Sequence, residues 1–130
     1  MSSLTFGQAQ RVVDRYLNAL RRRDWAAIVE LYAEEATLED PVGSEPVVGR
    51  EAIERFYRRA LTQPILGELT VPLRVSGRAV AFPFRASAER GTTRHETDII
   101  DVFHLDEQGL IHSMQAYWGP ANNRQRAATG

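Results

Sequence analysis

The stretch "AVAFPFRASAERGTTRHETDIIDVFHL", residues 79–105, carries apolar side chains at every second position on both sides of a Gly-Thr-Thr turn. From Val80 the even positions are Val80, Phe82, Phe84, Ala86 and Ala88; across the turn, "TDIIDVFHL" puts Ile99, Asp101, Phe103 and Leu105 on its odd face. A period of two over runs of this length predicts half-buried strands joined as a hairpin. Pro83 lies opposite the apolar face, cannot donate to a ladder, and predicts an edge or a bulge there. Further turns are expected at "SGR" and "DEQG", and "IHSMQAYW" continues the alternation with His112, Met114, Ala116 and Trp118. The second half of the chain is predicted to be an antiparallel meander.

Upstream the period changes to that of a helix. In "FGQAQRVVDRYLNALRRRD", Ala9, Val12, Val13, Tyr16, Leu17 and Leu20 form one stripe, with Thr5 and Gln8 placed as a capping box. Asp24 is predicted to cap a second helix, "WAAIVELYAEE", with Ile28, Leu31 and Tyr32 inward. A third, "REAIERFYRRAL", groups Ile53, Phe56, Tyr57, Ala60 and Leu61. Three amphipathic helices followed by long strands predict an α+β domain, helices lying across one concave sheet face. Residues 1–130 are expected to form a single domain, with 120–130 a frayed tail.

Composition narrows the function classes. Sixteen basic residues oppose 17 acidic ones, for a net charge of -1, which offers no general attraction to nucleic acid. With 43% hydrophobic residues, no apolar run nears the roughly 18 needed to span a bilayer. There is no cysteine, so thiolate chemistry and disulfides are excluded. His95, His104 and His112 lack metal-ligand spacing, and no metal or cofactor is expected. The N-terminal segment has no signal-peptide core, which makes the cytoplasm the expected location.

Three groups stand out chemically. Tyr16, Tyr32 and Tyr57 each fall on an apolar helix stripe, and buried hydroxyls that converge must bond one another or a common acceptor. Asp101 shares a strand face with Ile99, Phe103 and Leu105; a one-residue register slip would turn it outward, so the pattern leaves both orientations open. Inward, desolvation would hold it as a neutral acid able to donate a hydrogen bond. Asp40, in "ATLEDPVGSEP" (residues 36–46), is either a turn aspartate or a base. One ionised carboxylate facing a phenol and a neutral acid across an apolar cavity is what enolisation beside a carbonyl requires.

"VVDRYLNAL", "LYAEEATLEDPVGSEP", "AIERFYRRAL", "IIDVF" and "HSMQAYWG" occur in the order and near the spacing of a known family. On these segments residues 9 to 119 resemble the Δ5-3-ketosteroid isomerases (steroid Δ-isomerases), members of the nuclear-transport-factor-2-like (NTF2-like) and SnoaL-like superfamily. That resemblance implies a cone-shaped fold, three N-terminal helices on a curved antiparallel sheet around an apolar pocket. It implies Asp40 as the base that moves a proton from C4 to C6 of a 3-ketosteroid, with Tyr16 and protonated Asp101 as oxyanion donors; a carboxylic acid kept neutral by its apolar site is an established feature of this family. Tyr57 and Tyr32 match the supporting hydroxyl network. Leu20, Phe56, Phe84, Ile99, Met114 and Trp118 would line the steroid pocket, each being equally readable as plain core. The family pattern also implies a cofactor-independent homodimer whose interface covers Ile100 and Val102. Three departures are visible: Pro83 within a pocket strand, Val102 where the family carries histidine, and no match beyond Gly119. Two rival functions share the fold, a non-catalytic binder of hydrophobic ligands and a polyketide-cyclase-like enzyme.

Overall fold

The computed structural model describes residues 2–128. Helix α1 (Phe6–Arg22) opens with the reciprocal Thr5–Gln8 capping box, and α2 (Trp25–Glu30) opens on the Asp24 carboxylate, which accepts the Ala27 N–H at 3.0 Å. Strand β1 (Tyr32–Glu39) and the two-residue β2 (Val47–Val48) lead into α3 (Arg50–Ala60). Then come β3 (Leu66–Leu69), β4 (Arg74–Ser76), β5 (Ala79–Arg90), β6 (Thr93–Leu105) and β7 (Ile111–Tyr117). A 3-10 turn (Pro120–Asn122) precedes β8 (Asn123–Ala127).

All eight strands belong to one sheet in the order β2-β1-β7-β6-β5-β3, with β4 also beside β5 and β8 also beside β6. The β5–β6 hairpin is the spine, paired without interruption from Ala79↔His104 to Arg90↔Thr93. Gly91 at the turn has φ +63°, a left-handed conformation open to glycine at little cost. The helices cover the face that carries Val80, Phe82, Phe84 and Phe103, all buried. The domain is thus α+β, as expected.

Several expectations need correction. The sheet is mixed, not wholly antiparallel, because β1 runs parallel to β7 through Leu38↔Met114 and Glu39↔Gln115. The second helix stops at Glu30, and Tyr32 opens a strand. Its backbone is taken by other elements: the Leu31 carbonyl accepts from Ile111 N–H at 2.8 Å and the Tyr32 carbonyl from the Arg50 guanidinium at 2.7 and 3.0 Å. Continuing the helix would forfeit these bonds. Ala60 is exposed on α3. An irregularity between His104 and Leu105 shifts the β6–β7 register, so Ile111 is buried and His112 points outward. Pro83 lies in an interior strand, but where β5's second neighbour changes from β4, paired up to Ala81, to β3, paired from Phe84. Its carbonyl accepts from Thr70 N–H at 3.1 Å. A residue's N and C=O point to the same side of a strand, so the missing donor falls in that gap. Finally, residues 123–127 are not frayed: β8 pairs with β6 from Thr97↔Asn123 to Thr93↔Ala127. Residues 129 and 130 of the expected tail lie outside the described residues.

Candidate active site

Asp101 points inward. It is 2% exposed, sits opposite Phe82 on β5 and Ala116 on β7, and has Phe103 on the same face of its strand. Its carboxyl makes no hydrogen bond among the described residues. Burial, and secondarily the charge of Asp40, push it well above the usual carboxylate range. Both effects penalise the ionised form and favour the neutral acid, the form that has a proton to donate.

Tyr16, on the buried stripe of α1, packs edge-on against Phe103 with ring centroids 5.1 Å apart and against Phe82 at 6.2 Å. Its hydroxyl lies 3.2 Å from that of Tyr57, which lies 2.6 Å from that of Tyr32. The three phenols therefore converge from α1, α3 and the start of β1. If Tyr16 gives its proton to a ligand oxygen, Tyr57 donates to Tyr16 and Tyr32 to Tyr57, so Tyr16 and Tyr57 are each both donor and acceptor and Tyr32 begins the relay as a donor. Burial, then the nearby acids, push Tyr16 above its ordinary value, while the bond from Tyr57 opposes them. All three phenols stay protonated at neutral pH.

Asp40 follows the end of β1 and is only partly buried. Two bonds hold its loop over β7. Val42 N–H donates to the Ala116 carbonyl at 2.8 Å, and the Trp118 indole Nε1–H donates to Asp40 Oδ1 at 2.7 Å. Ala116 is the cross-strand partner of Asp101, so the latch brings the loop carboxylate close to the stretch of β6 that carries Asp101. Burial raises the Asp40 pKa and the Trp118 bond lowers it, with burial the stronger effect. Two carboxyls, one partly solvated and one dry, meet beside a phenol relay in an otherwise apolar surround.

The expected lining residues divide into two groups. Leu20, Phe84 and Met114 are buried in the core at 4%, 3% and 1% exposure, whereas Phe56, Ile99 and Trp118 are partly open and pack on its margin. The indole N–H is the feature that the alternation of "IHSMQAYW" could not reveal, since period-two reading counts tryptophan as apolar. Among the described residues, no group of three or more His, Cys, Asp or Glu side chains is placed to hold a metal ion. None of their helices is long and apolar enough to cross a membrane.

The SnoaL-like domain model matches residues 13–114. Over 115 residues the chain is 42% identical to the steroid Δ-isomerase of Nocardioides simplex, covering 88% of this chain and 93% of that protein. Epoxide hydrolase LasB of Streptomyces lasalocidi is 29% identical over 119 residues; this covers 85% of the present chain but 41% of that protein, so the chain spans less than half of it. Among solved structures, SalBIII, an epoxide hydrolase/cyclase-like enzyme with a role in pyran ring formation in the polyether salinomycin, superposes with a TM-score of 0.81 at 30% identity. That match covers 90% of this chain and 95% of SalBIII. By sequence and by architecture the chain belongs to the SnoaL-like, NTF2-like family of cone-fold domains.

Proposed function

We propose that the protein is a cofactor-independent steroid Δ-isomerase that converts Δ5-3-ketosteroids to their Δ4 isomers. The observation that supports this reading is the burial of Asp101 and Tyr16 on the inner face of the domain, with the Asp40 carboxylate close enough to raise the Asp101 pKa and held by the Trp118 indole. Asp40 removes a proton from C4, leaving a dienolate. Tyr16 and Asp101 donate hydrogen bonds to the dienolate oxygen, and Asp40 returns the proton at C6. No charge is left on the product and the base is regenerated. Dry donors aimed at the developing oxyanion are worth far more than the same donors in water. Trp118 holds Asp40 without consuming its second oxygen. The 42% identity to a steroid Δ-isomerase supports the substrate class. A homodimer is part of the proposal, with the sheet face bearing Ile100 and Val102 as the interface.

A second reading has its own support in the likeness to an epoxide hydrolase/cyclase-like enzyme. The same pair of carboxyls could open an epoxide, Asp40 activating a nucleophile while Asp101 protonates the epoxide oxygen. A simple hydrophobic-ligand binder is disfavoured, since burying an unpaired acid gives it nothing. Adding purified protein to 5-androstene-3,17-dione and following the enone absorbance separates these. The expected outcome is rapid conversion, lowered by at least roughly 10²–10⁴-fold in kcat by Asp40→Asn. An unchanged absorbance with the wild-type chain would reject the isomerase, and a variant within a few-fold of wild type would remove Asp40 from the mechanism.

A further inference from the structure

Among the described residues, three buried side-chain polar atoms have no hydrogen-bond partner: Trp25 Nε1, Ser87 Oγ and Arg94 Nε. Such groups are rare in folded proteins, because each leaves hydrogen-bonding capacity unmet away from water. Ser87 and Arg94 line one cleft, of about 340 Å³, near the turn of the β5–β6 hairpin. Pro64, Leu66 and Ala88 form its apolar side, and Arg21, Ser87 and Arg94 its polar side. Strand β3 pairs with β5 only as far as Ser87, opposite Leu66, and the cleft borders the edge of β5 beyond that point. None of Tyr16, Asp40 and Asp101 lines it.

Register brings the two unpaired atoms together. Ser87 faces Glu96 across the hairpin, and Glu89 faces Arg94. Side chains two residues apart share a face, so Ser87 and Arg94 are diagonal neighbours, roughly 7–8 Å apart along the ladder. Glu96 does not use up their donors. Arg124 and Arg126 reach its Oε1 at 2.8 and 3.0 Å, while Arg94 Nε stands 3.2 Å from Oε2 without the alignment of a hydrogen bond. Ser87 is 5% exposed, and its hydroxyl bonds to nothing. The wall is held by Gln63, whose amide, in the orientation its neighbours favour, donates to the Glu89 carbonyl at 2.7 Å and accepts from Arg90 Nε at 3.0 Å. Charge in the lining is in excess on the positive side. Arg21 and Arg94 oppose one carboxylate, Glu89, whose side chain is 62% exposed and lies 4.0 Å from Arg94.

We infer that this cleft is a second binding site, for an oxyanion carried on a small apolar body, such as an aromatic or alkyl carboxylate or phosphate. Ser87 Oγ and Arg94 Nε donate to the anionic oxygens, Arg21 adds charge, and Pro64, Leu66 and Ala88 cover the apolar body. The volume is near the lower end of the roughly 300–1,000 Å³ of small-molecule sites, which suits a single ring or a short chain. The site does not depend on the isomerase reading. The test titrates isotope-labelled protein with phenyl phosphate, benzoate and inorganic phosphate at fixed ionic strength, following the NMR signals of the amides of residues 87–89 and 94 and of Arg94 Nε–H. Saturable shifts centred there are expected with at least one aromatic probe, and the tighter of the two tells phosphate from carboxylate. Inorganic phosphate, lacking the apolar body, should bind more weakly. Loss of a hydrogen bond to a charged oxygen should make Ser87→Ala bind roughly tenfold or more weakly. The same variant removes an unpaired buried hydroxyl, so its Tm without ligand should be unchanged or raised. Glu89→Gln, an exposed change that removes the competing carboxylate, should tighten binding. No saturation with either aromatic probe, inorganic phosphate bound as tightly as phenyl phosphate, or full affinity in Ser87→Ala overturns the inference. A Tm lowered by Ser87→Ala would mean that the hydroxyl already has a partner, and overturns it too.

Discussion

The two carboxyls of the candidate site differ in solvation, and single substitutions can read that difference. Asp101 is raised well above 3.8 by burial first and Asp40 second. Its folded form keeps the proton while the unfolded chain releases it, so stability from this group is fully present below about pH 4 and is lost as pH rises towards the folded pKa. Asn at 101 stays neutral in both states. Asp101→Asn should accordingly match the wild type in Tm near pH 4 and exceed it progressively towards pH 8, an advantage that thermal scans across that range would measure. A constant difference would mean that Asp101 titrates alike in both states. In activity, Asp101→Asn still donates and should outperform Asp101→Ala, for which removal of an oxyanion donor costs roughly 10²–10³ in kcat. Trp118 acts on the other carboxyl. Its N–H favours ionised Asp40 against burial, so Trp118→Phe, which keeps the ring but not the donor, should move the acid limb of the kcat/KM profile to higher pH. An unmoved limb would show that the indole bond does not tune the base.

Strand β8 shows how an element can be fixed by contacts that carry no hydrophobic signal. "NRQRA" has no apolar alternation, and the strand is held by its ladder to β6 and by charge. Arg124 donates to Glu96 at 2.8 Å and to Asp98 at 3.0 Å, and Arg126 lies 3.0 Å from Glu96. Hydrogen bonds from Arg124 and Arg85 hold Asp98 down at about 2. Glu96 is buried, which raises its pKa, but its arginines bring it below the usual range. Arg124→Ala should thus speed amide exchange across residues 123–127 while leaving the β5–β6 hairpin protected, measurable by hydrogen-deuterium exchange. Equal protection in the variant would assign β8 to its backbone ladder alone. The same contrast explains what the sequence disclosed. The apolar face of β6 was legible through Ile99, Phe103 and Leu105, but alternation alone left Asp101 open to either orientation, because a one-residue slip exchanges the two faces, and only its burial in the fold decides it. The convergence of Tyr16 and Tyr57 was legible from helix periodicity. Strand direction was not, since alternation is identical for parallel and antiparallel pairs, and β1 beside β7 therefore went unseen. Tyr32 was legible as a buried tyrosine but not as a strand residue, because Arg50 and Ile111, which capture the local backbone, are distant in sequence. His112 was misplaced by a one-residue irregularity, which inverts every parity argument beyond it.

The whole molecule has two sheet faces with different tasks. Helices pack on the inner one, which carries Asp101; none of the described helices covers the outer one, where Ile100 is 44% and Tyr117 49% exposed beside Pro83 and Val102. Ile100 and Tyr117 are register partners, so their side chains stand together on one flat patch. Beyond it lie the Arg85–Asp98 ion pair at 2.9 Å on one side and the His104–Ser113 contact at 3.1 Å on the other, an apolar centre with a polar rim. A patch of this kind on antiparallel strands is self-complementary under a two-fold axis, the commonest symmetry of small oligomers. In the proposed homodimer, Ile100 of each copy is buried against the other. It also neighbours Asp101 along β6, so the interface would stiffen the strand that positions the acid. Placing a charge there by Ile100→Lys should convert a dimer into a monomer in sedimentation velocity at micromolar concentration, with far-UV circular dichroism unchanged and kcat reduced. A wild-type chain that sediments as a monomer, or a variant that still sediments as a dimer, would remove this face from the assembly.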